Sequence, residues 1–157
     1  MRDETVAIRP AREQDTPGVL ALAPRLAAGV APWRDRTAAA AAGSSWLEHS
    51  LAAASRGEGI VFVAVAVAAG EVAGVISARP AKHFTGERDG YVGELAVDES
   101  AARRGIGRAL VEAARAWAQD QGLANLTLHT GAFNTNARAF YTALGFREEE
   151  VRLTLNL

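Results

Sequence analysis

The stretch from Tyr91 to Gln121 constrains this chain more than any other, because in it a strand becomes a helix through a turn of two glycines and three arginines. Tyr91, Leu95 and Val97 share one face at a period of two, the mark of a strand. Ile106, Ala109, Leu110, Ala113 and Trp117 recur at helical spacing, with Arg108, Glu112, Arg115 and Gln119 elsewhere on the surface. Between the two runs Arg103-Arg104-Gly105-Ile106-Gly107-Arg108. Glycine has no Cβ, so Gly105 and Gly107 let a charged group approach the backbone. The first N–H groups of a helix lack intrahelical partners and together carry about half a positive charge. Flanked by arginines, such a helix start is predicted to cradle a phosphate. It is not a Walker loop, which needs a Lys-Ser/Thr pair where this chain has Arg108-Ala109. A dinucleotide fingerprint needs a third glycine at the position of Leu110. Taken alone, the turn also reads as a glycine-opened helix on a solvated basic loop.

Composition narrows the remaining classes. A chain of 157 residues, 49% apolar and 22% charged, reads as one domain spanning residues 1–157 with a proper core. The net charge of −1 points away from nucleic-acid and membrane partners. Without cysteine there is no disulfide framework, no thiolate metal site and no cysteine nucleophile. Met1-Arg2-Asp3-Glu4 is too charged for a signal peptide, and the longest apolar run, Ile60 to Ala69, is too short to span a bilayer. A cytoplasmic location is expected.

Along the chain, Thr5 to Arg9 reads as a strand stopped by Pro10, after which Asp15 is expected to cap a helix with Pro17 in its first turn and Pro24 kinking or dividing it. Thr37 to Ser55 reads as Ala-rich helix, with Gly43-Ser44-Ser45 as a candidate interruption. Ile60 to Val67 and Val72 to Arg79 form a predicted hairpin, and Arg79 to Gly90 a polar loop. Beyond the organising helix, Ala124 to His129 is a strand. Asn134 caps a helix with the stripe Ala137, Phe140, Tyr141 and Leu144, and Arg147 to Leu157 is a last alternating strand. The order β-αα-ββ-β-α-β-α-β predicts a mixed α/β sheet with helices on both faces.

The sequence Glu94-Leu95-Ala96-Val97, an acidic turn, then Arg103 to Arg108 resembles the coenzyme A-binding motif of the GNAT N-acetyltransferase superfamily. The segment from Asn134 to Phe146 matches that family's closing motif, N-x-x-A-x-x-x-Y-x-x-x-G-F, in every named position. The element order agrees from end to end. The family's phosphate turn opens with Arg or Gln, where this chain has Ala102; Arg103 and Arg104 are the charges at hand to replace it.

The resemblance implies a mostly antiparallel sheet of six to seven strands, splayed between the fourth and fifth, with acetyl-CoA as co-substrate and no metal. It implies that Arg103, Arg104, Gly105, Ile106, Gly107 and Arg108 hold the pyrophosphate. The pantetheine would pair with the backbone of Leu95, Ala96 and Val97, one of whose N–H groups would hold the oxyanion. Asn134 would bond the pantetheine, although helix capping competes for its amide. Glu94 matches a family general base; set among Val92 and Ala96 it is expected to be poorly hydrated, and it otherwise anchors a substrate ammonium. Tyr141 matches the general acid that protonates the thiolate. His129 is expected to line the substrate site. Arg138 reads as a solvated surface arginine, with contact to the 3′-phosphate as the alternative, and Trp33 and Trp46 as buried packing, with lining of the acceptor pocket as the alternative.

The implied reaction moves an acetyl group to a primary amine of a small molecule or peptide by direct attack in a ternary complex. The alternative is a catalytically silent acyl-CoA-binding domain acting as a sensor or interaction module. Glu87, Asp89 and Glu94 lean towards a cationic acceptor. Many relatives pair through their later strands, so the resemblance admits a homodimer.

Overall fold

In the computed structural model, which describes residues 5–157, five strands form one sheet in the order β1-β2-β3-β4-β5. β1 (Val6–Pro10), β2 (Ile60–Ala66), β3 (Val72–Lys82) and β4 (Arg88–Val97) are antiparallel neighbours, and the short β5 (Leu126–Leu128) runs parallel to β4. The α/β architecture is as expected, but there are five strands among the described residues, not six to seven. The difference lies at the C-terminus, where Arg147–Leu157 joins no ladder and Val151, Leu153 and Leu155 are 79%, 89% and 84% exposed. Alternating side chains give a segment a strand's two faces, but a strand also needs a free edge aligned with it.

The expected loop from Arg79 to Gly90 is instead mostly sheet. Arg79 pairs with Tyr91 and Lys82 with Arg88, leaving His83–Glu87 as the turn, closed by the Glu87 carbonyl accepting from the His83 N–H at 2.8 Å. Polar side chains do not prevent a hairpin from extending, because backbone groups make the ladder.

α1 (Thr16–Ala21) begins with Pro17, and Pro24 divides the helical stretch, which continues as a 3-10 turn over Ala23–Ala27. Asp15 does not cap α1. Its carboxylate is 5% exposed and takes two guanidinium bonds from Arg9, at 2.6 and 2.9 Å, and the Arg12 N–H at 2.7 Å. α2 (Arg36–Ser55) runs unbroken from Asp35, whose Oδ1 accepts from the N–H groups of Thr37 and Ala38 at 2.8 and 3.0 Å. Gly43 does not interrupt it; the residue lies where a Cβ would meet the Ala23 carbonyl oxygen at 3.0 Å, so it lets the 3-10 turn approach.

Two cores flank the sheet. On one face Val61, Val63, Val65 and Val75 pack with Val19, Leu22 and Leu47 of α1, its C-cap and α2. On the other, Ala64, Ile76, Ala78 and Val92 pack against Ile106, Leu110, Val111 and Ala114 of α3 (Ile106–Asp120). α4 (Thr135–Ala143) joins the second layer through Phe140 and Tyr141.

Candidate active site

The site grows from an irregularity in β4. Leu95 pairs with Ile76 and Val92 with Ala78, so Gly93 and Glu94 together oppose Ser77 alone. Such a bulge re-aims side chains that strict alternation would send elsewhere. It brings the Glu94 carboxylate, 7% exposed, onto two hydroxyls. Ser50 Oγ of α2 donates to Oε2 at 2.8 Å, and Ser77 Oγ donates to the same oxygen while accepting the Glu94 N–H at 3.0 Å. Gly93 is required beside it, because a Cβ would lie 2.9 Å from Ser77 Oγ. Both hydroxyls converge on Oε2. No buried side-chain oxygen among the described residues lacks a partner, so Oε1, which takes none, opens to the surrounding space.

That space is a pair of cavities. The β4–β5 ladder, where the splay between the fourth and fifth strands is expected, ends where Val92 meets Leu128. On the open side, the Val97 carbonyl accepts from Arg25 Nε at 3.2 Å, while the next residue, Asp98, donates its N–H to Ala73 of β3 at 2.8 Å. Backbone groups alternate in direction along a strand, so Leu95 and Val97 face the gap and Ala96 faces β3. A cavity of about 310 Å³ fills the gap, lined by Leu95, Leu128, Asn134 and Tyr141 among others. A second, of about 620 Å³, lies between α2 and the strands, with Ser50, Arg56, Ser77, Arg79 and Tyr91 in its walls. Trp46, Gly93, Glu94 and His129 line both, so Glu94 sits at their junction.

Tyr141 is half-buried, packed edge-on between Phe140 and Phe146, and desolvation pushes its hydroxyl up to about 12. It therefore keeps its proton at neutral pH. Asn134 caps α4 through Oδ1, accepting the Ala137 N–H at 3.2 Å, and its Nδ2 donates to the Ala28 carbonyl at 3.3 Å. Both ends of that amide are engaged. His129 Nδ1 lies 3.1 Å from the Tyr91 hydroxyl and Nε2 3.6 Å from Glu150.

The basic turn stands at the start of α3, with Arg103 at φ 63° and Gly105 at φ 77°, and Arg103, Arg104 and Arg108 exposed. Ile106 turns inward, 5% exposed. Gly107 serves packing: a Cβ there would meet Phe140 of α4 at 3.3 Å.

A profile of the Acetyltransferase (GNAT) family matches residues 27–146. The chain belongs to the GNAT acetyltransferase family. It is 34% identical over 79 residues to human N-acetyltransferase 8, covering 50% of this chain and 35% of that one. Mycothiol acetyltransferase of Amycolatopsis mediterranei (strain U-32) is 40% identical over 67 residues, which are 43% of this chain and 22% of that one. The match thus spans 35% and 22% of the length of these two relatives. Among solved structures, a putative acetyl transferase from Pyrococcus furiosus superimposes with a TM-score of 0.78 at 20% identity, covering 98% of this chain and 100% of the other.

Within this GNAT fold, several expectations change. Trp33 and Trp46 are not buried, each being 49% exposed; Trp46 borders both cavities and Trp33 meets Phe133 edge-on at 5.5 Å. Glu87 accepts from Thr85 at 2.6 Å in the hairpin turn, buried Asp89 accepts from Asn125 at 2.8 Å, and neither lines either of the two cavities. Arg138 is paired with Glu148. Ser50, Ser77 and Arg79 escape a reading of the sequence. The one local signal is Ser77, a lone hydroxyl in the apolar run Val75-Ile76-Ser77-Ala78.

Proposed function

We propose that the protein is an N-acetyltransferase that moves an acetyl group from acetyl-CoA to a primary amine by direct attack in a ternary complex. The observation that carries this reading is the Glu94 oxygen Oε1, open at the junction of two cavities of which the smaller is also lined by Tyr141. The wedge between β4 and β5 suits the pantetheine arm, whose amides pair with the outward backbone of Leu95 and Val97 as an added strand would. Ala96 contributes the wall of the strand, because its backbone is directed to β3. Asn134 lines this wedge, and with one Nδ2 hydrogen given to Ala28 the second remains to bond the arm. Arg103, Arg104 and Arg108, with the free N–H groups from Gly105 to Gly107, take the pyrophosphate.

In the reaction, the amine nitrogen enters from the larger cavity, past His129, and bonds to the thioester carbonyl carbon. Oε1 of Glu94 takes the proton released by the amine. A backbone N–H of Leu95 or Val97 donates to the carbonyl oxygen as negative charge builds on it. The carbon–sulfur bond breaks, and Tyr141 gives its proton to the departing sulfur and recovers one from solvent. A hydroxyl that ionises only near pH 12 is protonated when needed.

The same reading includes a homodimer. β5 is a three-residue edge strand, and the unpaired alternation Val151, Leu153, Leu155 belongs to the same chain, so two copies can each complete the other's sheet.

The test is thiol release from acetyl-CoA with a panel of amines, on wild type and on Tyr141→Phe. Turnover that falls by about a hundredfold in the variant is expected. Undiminished turnover would remove Tyr141 from the mechanism. Acetyl-CoA binding by calorimetry without acetylation of any amine would favour the silent acyl-CoA-binding reading.

A further inference from the structure

The charges around the larger cavity carry information about the acceptor. Its acidic and basic lining is Glu94, Arg56, Arg79, His49 and His129, beside the Tyr91 phenol, so one carboxylate faces two guanidinium groups and two imidazoles. The cations differ in what already satisfies them. Arg56 makes two bonds to Glu58, at 3.0 and 2.7 Å. His129 lies against Glu150, and His49 Nδ1 is 3.5 Å from Ser45 Oγ. Among the described residues Arg79 has no carboxylate; its guanidinium carbon lies 5.0 Å from the centre of the Tyr91 ring. That ring contact is compatible with a free N–H edge, and among the described residues the Arg79 guanidinium donates no hydrogen bond.

Arg79 stands opposite Tyr91 in the ladder, three residues along β4 from Glu94. Because Gly93 and Glu94 share Ser77 across the ladder, Glu94 stands two residue positions along β3 from Arg79, about 7 Å at a rise of about 3.3 Å per residue. One end of the cavity has a carboxylate oxygen that accepts from an amine. The other has a planar, unpaired fork of donors that matches an oxyanion in two-point geometry.

We propose that the acceptor is an amine whose own skeleton carries an anionic oxygen group, carboxylate or phosphate, which Arg79 binds while the amine lies at Glu94. This rests on the assignment of the larger cavity to the acceptor. It replaces the cationic acceptor suggested by the acidic residues of the sequence, since Glu87 and Asp89 are engaged elsewhere.

The experiment uses one series of primary amines, identical except for a terminal carboxylate, phosphate or uncharged carboxamide. Binding is measured by calorimetry on wild type, Arg79→Gln and Arg79→Lys, and acetylation is followed in parallel. In wild type the anionic members are expected to bind at least about tenfold more tightly than the carboxamide. That preference is lost in Arg79→Gln and only partly kept in Arg79→Lys, whose point charge cannot make the two-point contact. Carboxylate against phosphate then distinguishes an amino acid or peptide from an amino phosphate. Equal binding of carboxamide and anion in wild type, a preference surviving in Arg79→Gln, or no binding of any member would overturn the proposal. An anion preference without acetylation would leave it standing and overturn the transferase reading. Arg79 is exposed, so the variants are expected to melt with the wild type, which circular dichroism checks.

Discussion

Ser77 makes two hydrogen bonds to one residue, accepting the Glu94 N–H and donating to its carboxylate. Replacing it with alanine leaves Oε2 with Ser50 alone, and the carboxylate is free to swing. Ser77→Ala is expected to lower kcat by about tenfold, in the range of one lost charge-assisted bond, with the KM for acetyl-CoA unchanged. A rise in that KM with kcat intact would assign Ser77 to cofactor binding instead. Tyr141 gives a second prediction at this scale. Its hydroxyl ionises near 12 in the native state and near 10 when unfolded, so between those values the unfolded chain releases a proton that the native chain holds. Stability is therefore complete below pH 10 and declines as pH rises towards 12, by about 2–3 kcal/mol. Denaturant titrations at stepped alkaline pH should show this decline in wild type and a shallower one in Tyr141→Phe; parallel curves would contradict it. Glu94 and Tyr141 were legible in the sequence because they stand in motifs. Ser50 and Ser77 were not, since a hydroxyl in an Ala-rich helix or an apolar strand has a role only once a distant partner is opposite it.

At the scale of elements, α3 is held by the stripe that its sequence announces. Leu110 is fully buried and its side chain reaches Gly74 of β3, where a Cβ would lie 3.0 Å from it. Leu110→Ala is expected to cost about 2–5 kcal/mol in urea denaturation, because helix and strand cannot collapse into the space. A loss below about 1 kcal/mol would show that α3 is loosely packed. The helical period was legible here because a 3.6-residue repeat is a local signal. α2 was less so: Gly43-Ser44-Ser45 looks like a break until the 3-10 turn carrying Ala23 and Leu26 supplies a reason for a small residue in mid-helix. The β3–β4 hairpin likewise continues through a stretch that composition marks as loop, since ladder bonds do not depend on side-chain polarity.

At the scale of the whole molecule, the five-strand sheet has a short outer edge at β5 and an unpaired alternating segment beyond α4. If two copies complete each other, the wild type sediments as a dimer of 16.5 kDa chains, and Leu153→Asp with Leu155→Asp yields a monomer that keeps its far-ultraviolet signature. A wild-type monomer would rule out the exchange. Sequence alone determined the order of most elements, the basic helix start and the two motif residues, because periodicity, turn chemistry and motif spacing are written within a few neighbouring positions. Tertiary structure decided the rest. The β4 bulge aims Glu94 at two serines far away in the chain. The end of the β4–β5 ladder leaves a backbone edge open, and strand register stands Arg79 beside Tyr91 across the cavity from the carboxylate. Each depends on contacts between distant segments, which no local pattern records.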